Sequence, residues 1–234
     1  MHISILNGSP RTNGATASLL KKAKEILSSK SNISVDYFDL ASFEMQFCKG
    51  CITCYRTGKC IIQNDGIEEL SIKIRNSDGI IIGTPTNGSN VSPILKNFMD
   101  RSHYLLEQAL YNKICLSIVT YEIADGNEAK KIVDKFFMIS GGIRQKGLIA
   151  KVDFNENPFK YKNVESKLVK RINQLIETIE KKKSKSIFDN ILVDNIIIKH
   201  IWRPVFLKNS VKYAGILAAW KEKGIGQKGK SQRA

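Results

Sequence analysis

No apolar run in this chain reaches the roughly 18 residues that a membrane-spanning helix needs. The opening stretch, MHISILNGSPRTNG, lacks the basic region and long apolar core of a secretion signal, and reads as a first strand. A cytoplasmic location is the expectation, and a reducing cytoplasm argues against structural disulfides. The three histidines suggest no shared metal site: His2 falls in a strand, His103 at a helix end and His200 in the C-terminal region. No internal repeat is evident, and a hydrophobic fraction of 42% with ordinary glycine and proline counts excludes a disordered chain. A length of 234 residues suits one sizeable core, or one domain with an appendage.

Positive charge is abundant and uneven. Residues 151–234 hold 19 Lys and Arg against 8 Asp and Glu, whereas the first 150 hold 18 against 14. That excess suits either an anionic partner or a solvated helical face.

From residue 1 to about 152 the pattern alternates between strand and helix. Residues 2–6 (HISIL), 33–40, 79–85 (GIIIGTP), 113–121 and 148–154 (LIAKVDF) read as five strands, several rich in β-branched residues. Between them, residues 15–27, 67–74, a stretch opening at Pro93, and 129–139 carry apolar residues at helical spacing. This order predicts an α/β fold with a doubly wound, five-stranded parallel sheet, binding ligands beyond the carboxyl ends of its strands. Residues 155–163 read as a linker, dividing a domain at 1–155 from a basic helical extension at 156–234. In the extension, Val164, Leu168, Ile172, Leu175, Ile176 and Ile179 form one apolar stripe. A more apolar helix over 186–202 is expected to stop at Pro204; an amphipathic piece at 205–220 precedes a disordered Gly/Lys tail.

Two loops carry binding chemistry. NGSPRTNGAT, between the first strand and first helix, offers hydroxyls, an arginine and the N–H groups of a helix N-terminus, a natural site for phosphate. No GK[ST] follows and the loop lacks GxGxxG, so it suits a phosphate monoester better than a nucleoside triphosphate or a dinucleotide. The alternative is a polar loop with a helix cap. GTPTNGSNVSPILKNFMDR, after the third strand, combines a glycine with small polar residues that let backbone amides approach a flat heteroaromatic ring.

With the cysteine-rich loop between them, these two stretches resemble the NADPH-dependent FMN reductase and iron–sulfur flavoprotein family, which has a flavodoxin-like fold. The resemblance covers roughly residues 1–150. It implies that the first loop holds the FMN phosphate, through Ser9, Pro10, Arg11, Asn13, Gly14, Ala15 and Thr16. It implies that Pro85, Thr86, Asn87 and Gly88 contact the isoalloxazine ring, and that the 120–126 loop also approaches it. The chain departs from the family pattern at Ala15, where many relatives carry Asn. It departs again at QNDG (63–66), where relatives often have paired acids.

CKGCITCYRTGKC, residues 48–60, packs four of five cysteines into one loop with spacing C-x2-C-x2-C-x5-C. Such tight spacing favours a 4Fe–4S cluster over zinc, whose structural sites more often use two separated CxxC pairs. Cys48, Cys51, Cys54 and Cys60 are therefore candidate ligands; the alternative is a thiol-rich loop beside a flavin. Cys115, inside a strand, reads as a buried small hydrophobe.

The leading reading is an FMN-dependent NAD(P)H oxidoreductase passing electrons to a flavin, a quinone, a nitro- or azo-compound or a protein, with homo-oligomers implied by the resemblance. A second is an electron-transfer flavoprotein with a 4Fe–4S cluster and ferredoxin as donor. A third is a flavin-containing sensor that docks an acidic partner or an anionic membrane surface through its basic tail. Nucleic acid is not an expected partner, because the tail has no recognised motif or aromatic stacking pattern.

Overall fold

The computed structural model describes residues 1–181, 198 and 200–225. Its sheet is built on β1 (His2–Asn7), β2 (Ser34–Asp39), β3 (Gly79–Asn87) and β5 (Ile114–Tyr121), all parallel. β4 (Asn90–Val91) returns antiparallel on the tip of β3. β6 (Ile143–Arg144) and β7 (Leu148–Lys151) pair with successive halves of β5 along one edge. They occupy one interrupted position, so the parallel body has the five expected positions in the order β2-β1-β3-β5-β6/β7. The fifth strand ends at Lys151 rather than at residue 154.

Alternation along the central strands sorts their side chains into two buried clusters, as a sheet covered on both faces requires. Ile3, Ile5, Ile81, Leu116 and Ile118 join α1 (Ala15–Ser28) on one face. Leu6, Ile80, Ile82 and Val119 join α3 (Ile67–Arg75), α4 (Pro93–Arg101) and α6 (Gly126–Ile139) on the other. Cys115 is fully buried in this second cluster, as expected of a small hydrophobe.

α7 (Val164–Glu180) places its whole apolar stripe, Val164 to Ile179, in the first cluster beside α1 and β5. A division at residue 155 assigns α7 to the extension, whereas its burial makes it the second helix of that face. The stretch expected to be a linker is also anchored: Phe159 and Tyr161 pack against the cluster, and Tyr161 Oη accepts the Asp153 N–H (2.9 Å).

Beyond α7, most of the helix expected over 186–202 and most of the tail lie outside the described residues. Pro204 sits in the first turn of α8 (Arg203–Lys208), the place in a helix where a missing N–H is tolerated. The amphipathic piece is thus two helices, α8 and α9 (Ala214–Glu222). Phe206, Ile216 and Trp220 bury a third cluster with Tyr55, Leu106 and Tyr213, joining this region to α2 (Thr53–Thr57) and α5 (Tyr104–Glu107). Trp220 Nε1 donates to Leu106 O at 2.7 Å. No helix among the described residues is long and apolar enough to cross a membrane.

Candidate functional site

At the carboxyl ends of β1, β3 and β5 lies a cavity of about 270 Å³. Strand order reverses between β1 and β3, so the cavity sits at the switch point of the sheet. The loop leaving β1 is braced from its start. Asn7 donates to Asp39 Oδ1 (2.6 Å) and accepts the Ser9 N–H, while Ser9 Oγ accepts the Arg11 N–H (3.1 Å). A Cβ on Gly8 would come within 2.9 Å of both Gly83 O and Leu95 Cβ, so only glycine lets this loop lie against β3 and α4.

Ser9, Pro10, Arg11, Ala15, Pro85, Thr86 and Asn87 line the cavity, bringing the two predicted loops together. The remaining predicted residues do not line it. Asn13 is exposed, 3.5 Å from Lys21 Nζ. Thr16 is buried and spends its hydroxyl on Thr120 Oγ1 (2.6 Å), tying α1 to the end of β5. Gly14 is the N-cap of α1. Gly88 and Ser89, with φ of 52° and 62°, form a two-residue hairpin between β3 and β4. Ser89 Oγ then donates to Asp125 Oδ2 (2.5 Å), joining this hairpin to the β5–α6 loop at the cavity rim.

Thr120, Tyr121 and Glu122 line the cavity, as the strand-end loop was expected to. Val152, Asp153 and Phe154 line it too and were missed, although residues just past a parallel strand were the place to look. Phe154 meets Arg11, whose guanidinium carbon lies 4.6 Å from its ring centroid while Nη1 donates to Asn155 Oδ1 (2.7 Å). Two features fit a phosphate-bearing, flat ligand. No side chain caps α1, which leaves its first N–H groups for an anion beside Ala15. Thr86 Oγ1 is buried against the cavity with no hydrogen-bond partner, which costs free energy until a ligand supplies one.

The cysteine loop builds a separate place. No disulfide forms among the described residues; Cys48, Cys51, Cys54 and Cys60 line one small cavity of about 30 Å³, with Arg101 at its wall. Left-handed turns at Gly50, Ile52 and Gly58 fold the loop so that the four thiols share it. At Ile52 that conformation costs about 1–2 kcal/mol, because a β-branched side chain is strained there. Burial, then the charges of the neighbouring cysteines, push the Cys54 thiol up to about 11. Hydrogen bonds from Thr53 lower that of exposed Cys51. No three Cys, His, Asp or Glu side chains among the described residues converge on a single metal ion. Four thiols around one cavity match, in kind and number, the residues that would hold a 4Fe–4S cluster.

α4 anchors this loop through two inward residues one turn apart. Asn97 accepts the Cys48 N–H (3.3 Å) and donates to Gln46 O (3.2 Å). Arg101, its side chain 1% exposed, pairs with buried Asp65 (2.6 Å) and donates to Gln46 O and Ile62 O. Burial alone would raise the Asp65 pKa; the Arg101 guanidinium and backbone N–H donors outweigh it and hold the carboxyl below its usual range. This acid of QNDG is therefore a structural partner of Arg101, which sequence reasoning also missed.

Beyond α4, His103 Nδ1 lies 2.7 Å from Glu107, and Nε2 lies 3.4 Å from Glu68. Burial alone lowers the His103 pKa, but hydrogen bonds to Glu107 and Glu68 outweigh it and the net shift is upward. A raised folded pKa contributes stability that is complete below the unfolded value of 6.5 and is lost as pH rises through the folded value. The urea midpoint of the wild type should therefore fall as pH climbs above 6.5. In His103→Gln that fall should flatten; an unchanged slope in the variant would refute the assignment.

The order of the sheet and a ligand cavity at its switch point define a flavodoxin-like α/β protein. Residues 1–150 match the family described as NADPH-dependent FMN reductase, and the chain belongs to that family. It is 40% identical over 226 residues to an iron-sulfur flavoprotein of Clostridioides difficile, covering 96% of this chain and all of that one. It is 33% identical over 142 residues to one of Methanocaldococcus jannaschii, covering 59% of this chain and 72% of the relative. Among solved structures, an apo NADH:FMN oxidoreductase superposes with a TM-score of 0.58 at 18% identity, over 76% of this chain and 89% of its own. An FMN-dependent NADH-azoreductase of Bacillus anthracis, solved with FMN, also gives 0.58, at 14% identity over 75% and 99%. These structures establish the fold.

Proposed function

We propose that the chain is an FMN-dependent NAD(P)H oxidoreductase, with FMN held in the switch-point cavity. The observation that carries this reading is the convergence of the two family loops on one cavity lined by Thr86, whose buried hydroxyl has no partner. The first N–H groups of α1, with Ser9 and Arg11 nearby, would hold the phosphate. Pro85, Thr86 and Asn87 would border the ring, with Thr86 Oγ1 hydrogen-bonded to it. Bound FMN supplies the hydride and electron chemistry, so no side-chain acid, base or nucleophile is required. The acceptor class remains a flavin, a quinone, a nitro- or azo-compound, or a protein, and the working form a homo-oligomer.

FMN titration followed by anaerobic addition of NADH or NADPH tests the reading. Saturable binding and bleaching of the flavin are expected, and Thr86→Val should weaken FMN binding by about tenfold. A chain that takes up no FMN contradicts the reading.

The shared cavity of Cys48, Cys51, Cys54 and Cys60 supports a second reading. In it the four thiolates hold a 4Fe–4S cluster, and a ferredoxin supplies electrons to an electron-transfer flavoprotein. Lys49, Arg56 and Lys59 lie in the same loop and would offset the negative charge of four thiolates. Iron and sulfide assays on anaerobically purified protein decide between the two. Background iron with intact FMN binding would leave only the plain reductase.

A further inference from the structure

Beside the cysteine loop opens a third cavity, of about 530 Å³. One wall is Cys51, Ile52, Thr53 and Arg56; the other is the end of α8 and the turn after it, Lys208 to Lys212. Arg56, Lys208 and Lys212 all reach the cavity, and no carboxylate lines it. Among the described residues none of the three is ion-paired, and Lys212 is held 5.4 Å from the Tyr213 ring centroid. Three cations left facing one space repel each other, a cost that an anionic occupant removes.

The walls are held in place before anything binds. Gly215 of α9 crosses Gly58 of the cysteine loop so closely that a Cβ there would lie 2.3 Å from Gly58 N. Tyr55 and Tyr213 stack across the same junction, with centroids 6.2 Å apart. A preformed site spends little on ordering when it binds.

We propose that this cavity is the docking face for a small acidic one-electron carrier protein. Ile52 and Val211, 40% and 80% exposed, stand among the cations, giving the mixture of apolar contact and surrounding charge that protein interfaces use. Because the charges line a hollow, projecting acidic side chains can reach them, whereas a flat bilayer surface would not fill it. Cys51 belongs to this cavity and to the cavity shared by the four thiols, so a docked carrier meets the edge of the proposed cluster site. Each productive encounter oxidises the carrier by one electron, which the chain takes up with no bond made or broken. This inference rests on the cluster reading for its redox meaning, and on the charges alone for binding.

The test uses the full chain, purified anaerobically, and an acidic ferredoxin as probe. Association rates for the wild type should fall steeply with added salt. Lys208→Glu/Lys212→Glu should lower the low-salt rate by about tenfold and remove most of that salt dependence. FMN content, iron content and flavin reduction by NAD(P)H should stay unchanged, and Lys208→Gln/Lys212→Gln should give an intermediate rate. Lys167→Glu/Lys170→Glu, with the same change in net charge but remote in sequence from both walls, should lower the rate by less than about threefold.

Equal losses in the two reversal variants would overturn the proposal. So would a wild-type rate in the cavity variant, or binding to phosphatidylglycerol/phosphatidylcholine vesicles through these residues with no ferredoxin association. Background iron with the predicted rate loss would remove the cluster reading and leave the docking face standing. Normal iron with rates insensitive to the cavity charges would do the reverse.

Discussion

Arg101→Met is expected to destabilise the folded chain by about 3–5 kcal/mol, the usual consequence of breaking a buried ion pair from one side. The guanidinium is the only cation paired with buried Asp65 among the described residues, and it also satisfies Gln46 O and Ile62 O. Methionine fills much of the volume but leaves a buried carboxylate without its cation and Ile62 O without its donor, while Gln46 O keeps only Asn97. Because Gln46 and Ile62 flank the cysteines, the loop should lose its anchor together with its stability. Iron uptake should therefore drop more sharply than FMN uptake, since the flavin cavity draws no residue from this loop.

The double variant Asp65→Asn/Arg101→Met should recover part of the loss, because no buried charge remains. In the wild type the Asp65 contribution is complete above its unfolded pKa of 3.8 and disappears as pH falls through the lower folded value. Urea denaturation at neutral pH checks the first expectation. A loss below about 1 kcal/mol would mean the pair is solvated in the folded protein.

The second large effect is expected at Gly215. An added Cβ would meet Gly58 N at 2.3 Å and both Gly58 Cα and the Thr57 carbonyl carbon at 3.0 Å, all backbone atoms that no rotamer change can move. Gly215→Ala must push α9 away from the cysteine loop, at the 1–3 kcal/mol typical of overpacking, or about that. Trp220, now buried and bonded to Leu106 O, should become wetter and its fluorescence should shift to the red. Iron content should fall while FMN affinity holds. Ala218→Ser, on the exposed face of the same helix, serves as the control. Unchanged fluorescence and iron in Gly215→Ala would show that the helix does not brace the loop.

The parallel sheet and its order of elements were legible because β-branched runs alternating with amphipathic helices leave few other arrangements. Both loops that line the switch-point cavity were legible too, since each lies just past a strand and has distinctive small polar residues. What stayed hidden depends on long-range contact. Nothing local at Arg101 announces that it will be buried against Asp65, 36 positions away. The Gly58–Gly215 crossing joins residues far apart in the chain, and Thr16 looks like a phosphate ligand until Thr120 takes its hydroxyl. α7 was read as an appendage because its exposed face is rich in lysine, although its apolar stripe belongs to the sheet core. Phe154 was read as part of a strand, and only the early end of β7 frees it to meet Arg11 at the cavity.

The account rests most heavily on two separable sites in one chain, a proposed flavin cavity at the strand ends and a separate four-thiol site. Parallel flavin, iron and sulfide analysis of anaerobically purified wild type and Cys54→Ser tests this most directly. The account predicts bound FMN in both proteins, reducible by NAD(P)H, with iron and sulfide in the wild type alone. Absence of FMN from the wild type, or iron retained unchanged in Cys54→Ser, would contradict it.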